Sequence, residues 1–110
     1  MHFLVLGYDG SDRDAASRRA SVREKHLAGS VRNYATSKWL DSGALLDEMG
    51  ARIGSFIVCD YPSENAMRSE WLDHEPYVLG DVWRRMEIHR IALSPRAMSH
   101  LPKDEPSISD

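Results

Sequence analysis

The chain has 110 residues, of which 42% are hydrophobic and 28% charged, a composition typical of one small globular domain. Its net charge of -3, with no basic run or face, argues against a nucleic-acid-binding protein. No apolar stretch approaches the ~20 residues of a membrane span and the first residues lack a signal peptide, so we expect a cytoplasmic protein with no membrane partner.

The first element is a nearly continuous apolar run over residues 2–8, which predicts a buried central strand. A long helix follows. Ser11 and Asp14 resemble a capping box at its start, and the helical pattern runs to about Leu40. Gly43 is a candidate for the left-handed residue that ends it.

This helix carries two rows of side chains at helical spacing. The apolar stripe predicted to face the core consists of Ala16, Ala20, Leu27, Val31 and Tyr34. A polar row lies on the flank of that stripe and consists of Arg19, Arg23, His26 and Ser30. We expect the polar row to face a cavity between the helix and the sheet.

The second half predicts two more strands, a short helix and a last strand. Residues 44–46 and 52–60 form an antiparallel hairpin with a turn near Gly50. Ser63 can cap a helix that places Met67 and Trp71 on one face and ends near Leu72, before Pro76. Residues 82–93 alternate between apolar and polar side chains, as in a half-buried strand.

The element order is strand, helix, strand, strand, helix, strand. This order predicts an α+β domain over residues 1–93 with the ferredoxin-like split βαβ fold, a four-stranded antiparallel sheet with two helices on one face. The other face needs a cover, so we expect a homodimer. Residues 94–110 are rich in proline and charge and predict a tail or a dimer arm.

Two carboxylates, an imidazole and a phenol gather after the short helix, over residues 73–77. Pro76 restricts the backbone of Glu75. If Glu75 or Asp73 reaches His26, the carboxylate fixes the ring tautomer and leaves the other ring nitrogen to exchange a proton with a substrate. The spacing alone leaves open whether this loop reaches His26.

Other site types find little support in the sequence. There is no Gly-rich phosphate loop, nucleophile elbow or histidine pair at metal-ligand spacing, so we expect no cofactor and no metal. Cys59 is the single cysteine and lies in an apolar run, which favours a buried, inert thiol in a reducing compartment.

Several short motifs together resemble the YciI-like (YCII-related) family over about residues 1–93. They are Arg23-x-x-His26-Leu27, Gly43-Ala44-Leu45-Leu46, Gly54-Ser55-x-Ile57, and Glu75-Pro76-Tyr77 with Gly80. The resemblance implies a dimeric α+β barrel and an acid-base site formed by a helix histidine and the Asp of an Asp-Pro-Tyr/Phe motif. Carried over, these are His26 and Glu75. Glu replaces Asp here, so Asp73 stays open as the alternative carboxylate.

The resemblance also implies a class of reaction. The family includes a dehydrochlorinase of chlorinated hydroxyquinols in aromatic degradation, and similar barrels include muconolactone isomerases. The hairpin departs from the family pattern, with Asp47-Glu48-Met49-Gly50 where Gly-Pro is frequent, which leaves the pocket shape open.

The leading hypothesis is a cofactor-independent lyase or isomerase acting on a small oxygenated or chlorinated ring compound. His26 would transfer the proton, Glu75 or Asp73 would orient it, and the substrate would contact Arg19, Arg23, Ser30 and Tyr77. The alternative is a non-catalytic dimeric protein that binds a small molecule, in which His26 and Glu75 only satisfy each other.

Overall fold

The computed structural model describes residues 1–95, so the tail expected over residues 94–110 lies almost entirely outside this range. The elements in chain order are β1 (His2–Asp9), α1 (Ala15–Ala35), β2 (Trp39–Leu46), β3 (Arg52–Asp60), α2 (Glu64–Glu70), a 3-10 turn (Leu72–His74), α3 (Pro76–Leu79) and β4 (Trp83–Ile91). All neighbouring strands are antiparallel, and the sheet order is β2-β3-β1-β4. This confirms the predicted ferredoxin-like α+β fold.

The core lies between the helices and one face of the sheet. In β1, Phe3 and Val5 are buried, and in β3, Ile57 and Cys59 are buried, while the residues between them are half-exposed. This period of two is what a strand gives when only one of its faces is covered. The buried aromatic and sulfur side chains that complete the core include Trp39, Tyr61, Met67, Trp71, Tyr77 and Trp83.

Several local predictions are confirmed. β3 spans residues 52–60 as expected, and the hairpin turn contains Gly50 at φ +83, in the left-handed region. Asp47 stabilises that turn by accepting from the backbone N–H groups of Met49 and Ala51. Ser63 caps α2 through its hydroxyl, which accepts from the N–H of Ala66 at 3.0 Å.

The limits of α1 were predicted wrongly at both ends. The helix begins at Ala15 after Asp14, whose side chain makes no capping hydrogen bond, so the capping box does not form. At the other end the helix stops at Ala35, and Ser37 takes a φ of 59 to turn the chain into β2. Gly43 lies inside β2, where a Cβ would come within 2.5 Å of the Phe56 ring.

The predicted orientation of α1 was also wrong. Leu27 and Val31, in the stripe expected to face the core, are 42% and 68% exposed, and Ala16 and Ala20 are exposed as well. The half-buried face carries instead an inner row, defined here as Arg19, Val22, His26, Gly29 and Asn33. This row lies beside α3 and the residue before it, where Glu75 hydrogen-bonds to His26 and the ring of Tyr77 stacks on it.

Candidate active site

The centre of the site is a hydrogen bond between α1 and the loop before α3. His26 Nδ1 lies 2.8 Å from Glu75 Oε2, and the two side chains are only 12% and 3% exposed. Glu75 has extended backbone, with φ -68 and ψ 121, as expected for a residue that precedes proline. The sequence left open whether this loop reaches His26, and the fold brings the two residues into contact.

The carboxylate of Glu75 is surrounded by donors. Its Oε1 accepts from Trp71 Nε1 at 2.9 Å, and its Oε2 also accepts from the backbone N–H of Tyr77 at 2.9 Å. A carboxylate acceptor requires a donor opposite it, so we assign the proton of neutral His26 to Nδ1. Nε2 then carries the free lone pair, and it has no protein partner within residues 1–95.

Aromatic rings hold the imidazole in place. The ring of Tyr77 stacks on His26 with centroids 3.9 Å apart and planes inclined by 11°. The ring centroids of Trp39 and Trp83 lie 5.9 and 6.2 Å from that of His26. Burial raises the pKa of the Tyr77 phenol, and the nearby guanidinium groups only partly oppose this, so the phenol stays protonated at neutral pH.

His26 opens onto a cleft of about 310 Å³. The residues that line it are Arg19, Arg23, His26, Leu27, Arg52 and Tyr77. A cleft of this size is at the lower end of the range for small-molecule sites. A larger cleft of about 400 Å³ lies between α1 and the segment around Trp71 and touches Glu75 from behind, but His26 does not line it. The smaller cleft is therefore the one in which His26 could meet a ligand.

Residues 1–92 match the sequence profile of the YCII-related domain. The chain belongs to the YCII-related family. A similar solved structure is described as 5-chloro-2-hydroxyhydroquinone dehydrochlorinase (TftG) from Burkholderia phenoliruptrix AC1100, in complex with 2,5-dihydroxybenzoquinone. The match has a TM-score of 0.71 and 19% identity and covers 86% of this chain and 96% of that one, so it supports the fold alone. No curated protein matches this chain.

The fold gathers four of the predicted site residues of this YCII-related chain in the cleft: Arg19, Arg23, His26 and Tyr77. Glu75 lies directly behind the imidazole. Asp73 is exposed in the 3-10 turn, so Glu75 is the carboxylate that contacts His26. Ser30 does not line the cleft, and its hydroxyl donates to the carbonyl of Leu27 instead.

Three residues of the site were not expected from the sequence. Trp71 was placed with Met67 on one face of a predicted helix, and its indole N–H donates to Glu75. Asp9 lies one residue past the predicted first strand, but it ends β1 and its Oδ2 accepts from Arg19 Nη1 at 2.6 Å. Arg52 lines the cleft from the start of β3. Trp71 meets Glu75 only four residues later, but across the 3-10 turn and not within one helix, while Asp9 and Arg52 reach the site from β1 and β3.

Cys59 is buried and lies away from the cleft. Burial, and to a lesser degree the charge of Asp60, raises the pKa of its thiol to about 12, which makes it a poor nucleophile. Among residues 1–95, no three His, Cys, Asp or Glu side chains cluster as metal ligands would. No helix within the described range is long and apolar enough to cross a membrane.

Proposed function

We propose that this YCII-related protein is a cofactor-independent acid-base enzyme, a lyase or isomerase acting on a small oxygenated or chlorinated ring compound. The observation that carries the proposal is the His26–Glu75 contact at the wall of the cleft. Glu75 is buried and saturated with donors, so it serves to hold His26. The accessible base is therefore Nε2 of His26.

In the proposed reaction, Nε2 removes a proton from a ring carbon next to a carbonyl or enol oxygen. For a dehydrochlorinase, the C–H electron pair forms a carbon-carbon double bond while chloride leaves with the C–Cl pair. The imidazolium then returns its proton to water. For an isomerase, the same imidazolium delivers the proton to a different carbon. Positive groups in the cleft would stabilise the negative charge that develops on the ring oxygen.

The arginines support this assignment. Arg19 and Arg23 line the cleft beside His26, and Tyr77 presents a protonated phenol there. We propose that Arg19 and the Tyr77 phenol contact the ring oxygen beside the reacting carbon. Arg19 would act together with its carboxylate partner Asp9.

We propose a homodimer as the working form. On the sheet face opposite the helices, Leu4, Leu6, Phe56 and Val58 are half-exposed, and a second copy would cover them. The mass of the protein in solution tests this part of the proposal independently of any activity.

The activity is tested on a panel of chlorinated hydroxyquinols and ring lactones, with chloride release and ring absorbance as readouts. We expect His26→Gln to reduce turnover by about 10²- to 10⁴-fold, the usual contribution of a general base, with little change in melting temperature. Glutamine can still donate to Glu75. The matched control is His74→Gln, because His74 is exposed and lies outside the cleft.

Two results would count against the enzyme. One is a wild-type protein that turns over none of the panel. The other is a His26→Gln or His26→Asn variant that stays folded and turns over the substrate like the wild type, which would show that His26 and Glu75 form a purely structural pair.

A further inference from the structure

The three arginines of the cleft differ in how their charge is balanced. Arg19 lies 2.6 Å from the carboxylate of Asp9, which is itself only 9% exposed. Arg23 and Arg52 have no carboxylate within 4 Å in the part of the chain that is described. The cleft therefore holds two guanidinium groups whose charge is not neutralised by any carboxylate of residues 1–95.

A β-bulge turns Arg52 toward this cleft. Leu45 pairs with Gly54 while Leu46 pairs with Arg52, so Ile53 is an extra residue in β3. With regular alternation Arg52 would share the face of Gly54, which is opposite the helices. The bulge breaks that alternation and directs the side chain to the helix side.

On the helix side, Arg52 is held by a buried hydroxyl. Its Nη2 donates to Ser55 Oγ at 2.7 Å, and Ser55 is only 4% exposed. Because the hydroxyl is neutral, this hydrogen bond holds the guanidinium group in place and leaves its positive charge unneutralised. The other N–H donors of Arg52 stay available to a ligand, since a guanidinium carries five.

The acidic residues near this position are already engaged. A third cleft of about 210 Å³ also touches Arg19 and Arg52 and is lined partly by Asp9 and Asp12. Asp9 binds Arg19, and Asp12 binds Arg18 through both carboxylate oxygens at 2.8 and 2.9 Å. Asp9 keeps its other oxygen, Oδ1, buried without a hydrogen-bond partner among residues 1–95, but neither carboxylate lies within 4 Å of the Arg52 guanidinium.

We propose that Arg52 and Arg23 form an anion-binding pair, and that the substrate carries a carboxylate in addition to the ring oxygen beside the reacting carbon. Guanidinium groups bind planar carboxylates through paired hydrogen bonds, which suits this role better than a single point charge. This inference rests on the proposed function for the reaction and adds the substrate class. Arg52 is then a residue that determines specificity.

The test uses two probes that differ by one carboxylate, 2,5-dihydroxybenzoate and hydroquinone. Their dissociation constants are measured by quenching of tryptophan fluorescence, since two buried tryptophans flank His26. We expect the wild-type protein to bind the carboxylate probe at least tenfold more tightly. Arg52→Gln should remove most of that preference, a loss of about tenfold, typical of one charge-assisted contact.

Two further variants separate the causes. Arg68→Gln removes the same charge from α2, where Arg68 pairs with Glu64 outside the cleft, and should keep the full preference. Arg52→Lys keeps the charge but loses the planar fork, and should fall between the wild type and Arg52→Gln. Equal affinity for both probes, no binding of either at millimolar concentration, or an unchanged preference in Arg52→Gln would overturn the proposal.

The two proposals fail in different ways. If the reaction is wrong and the anion site is right, the panel shows no turnover while Arg52→Gln still removes the preference. If the anion site is wrong and the reaction is right, His26→Gln loses turnover while Arg52→Gln binds both probes like the wild type.

Discussion

The two sides of α1 differ in polarity: the inner row, which packs against the protein, is mostly polar, whereas the outward side carries exposed apolar side chains. The inner row, centred on His26, packs against α3 and contacts Glu75 and Tyr77. On the outward side, Leu27 and Val31 are 42% and 68% exposed. An ordinary surface helix has the reverse distribution, with apolar residues inside and polar residues outside.

The difference indicates what the helix is for. Hydrogen bonding to Glu75 and stacking on Tyr77 compensate the burial of a polar ring, so the inversion costs less than the sequence pattern suggests. Departures from local rules concentrate at functional sites, where the surrounding structure supports them. The inverted helix is therefore an independent reason to place the site at His26.

The largest effect on stability is expected at Glu75. Three donors converge on its carboxylate, and Glu75→Gln replaces one acceptor oxygen with an N–H group that faces donors. We expect a loss of about 3 kcal/mol in the free energy of unfolding, as when one partner of a buried polar pair is removed. Urea denaturation measures it.

The matched control for this substitution is Glu70→Gln, at an exposed position of α2. It should change the unfolding free energy by less than about 0.5 kcal/mol. Equal stability of the Glu75→Gln and Glu70→Gln variants would show that the donors around Glu75 have other partners in solution. The buried contacts of Glu75 would then not explain why the polar side of α1 faces inward.

A smaller effect separates the two sides of α1 directly. Val22 belongs to the inner row and packs against the core. It lies so close to Gly80 that a Cβ added to Gly80 would be 3.2 Å from the Val22 side chain. Val22→Ala should cost about 1–2 kcal/mol, whereas Val31→Ala should stay within about 0.5 kcal/mol. Both changes replace valine with alanine in one helix, so the difference in helix propensity cancels. A comparable loss at Val31 would mean that another molecule covers the outward side.

Much of the fold could be predicted because its signals are local. The alternation in β3 and the turn at Gly50 place the hairpin correctly, and the element order gives the ferredoxin-like topology. The rotation of α1 could not be predicted, since it depends on partners from residues 71–77. The spacing of apolar residues predicted that Leu27 and Val31 face the core. The hydrogen bond and ring stacking of His26 instead determine which side of α1 faces inward.

The site was predictable only in part, for a related reason. The family resemblance assigned His26 and Glu75, and the fold brings them into contact. It left Asp73 open as the alternative carboxylate, but Asp73 is exposed in the 3-10 turn and Glu75 is the residue that contacts His26. Arg52 was missed because a bulge at Ile53 reverses the direction that strand alternation gives it. The adjacent Gly54 is the one local sign of that bulge, since a glycine inside a strand often accompanies one.

The most direct test is the ¹⁵N NMR spectrum of the His26 ring, identified by its loss in His26→Gln and followed during titration with 2,5-dihydroxybenzoate. We expect a proton on Nδ1 in the free protein and a saturable shift of the Nε2 resonance as the ligand enters the cleft. A proton on Nε2 with Nδ1 bare, or an Nε2 resonance that does not respond to the ligand, would contradict it.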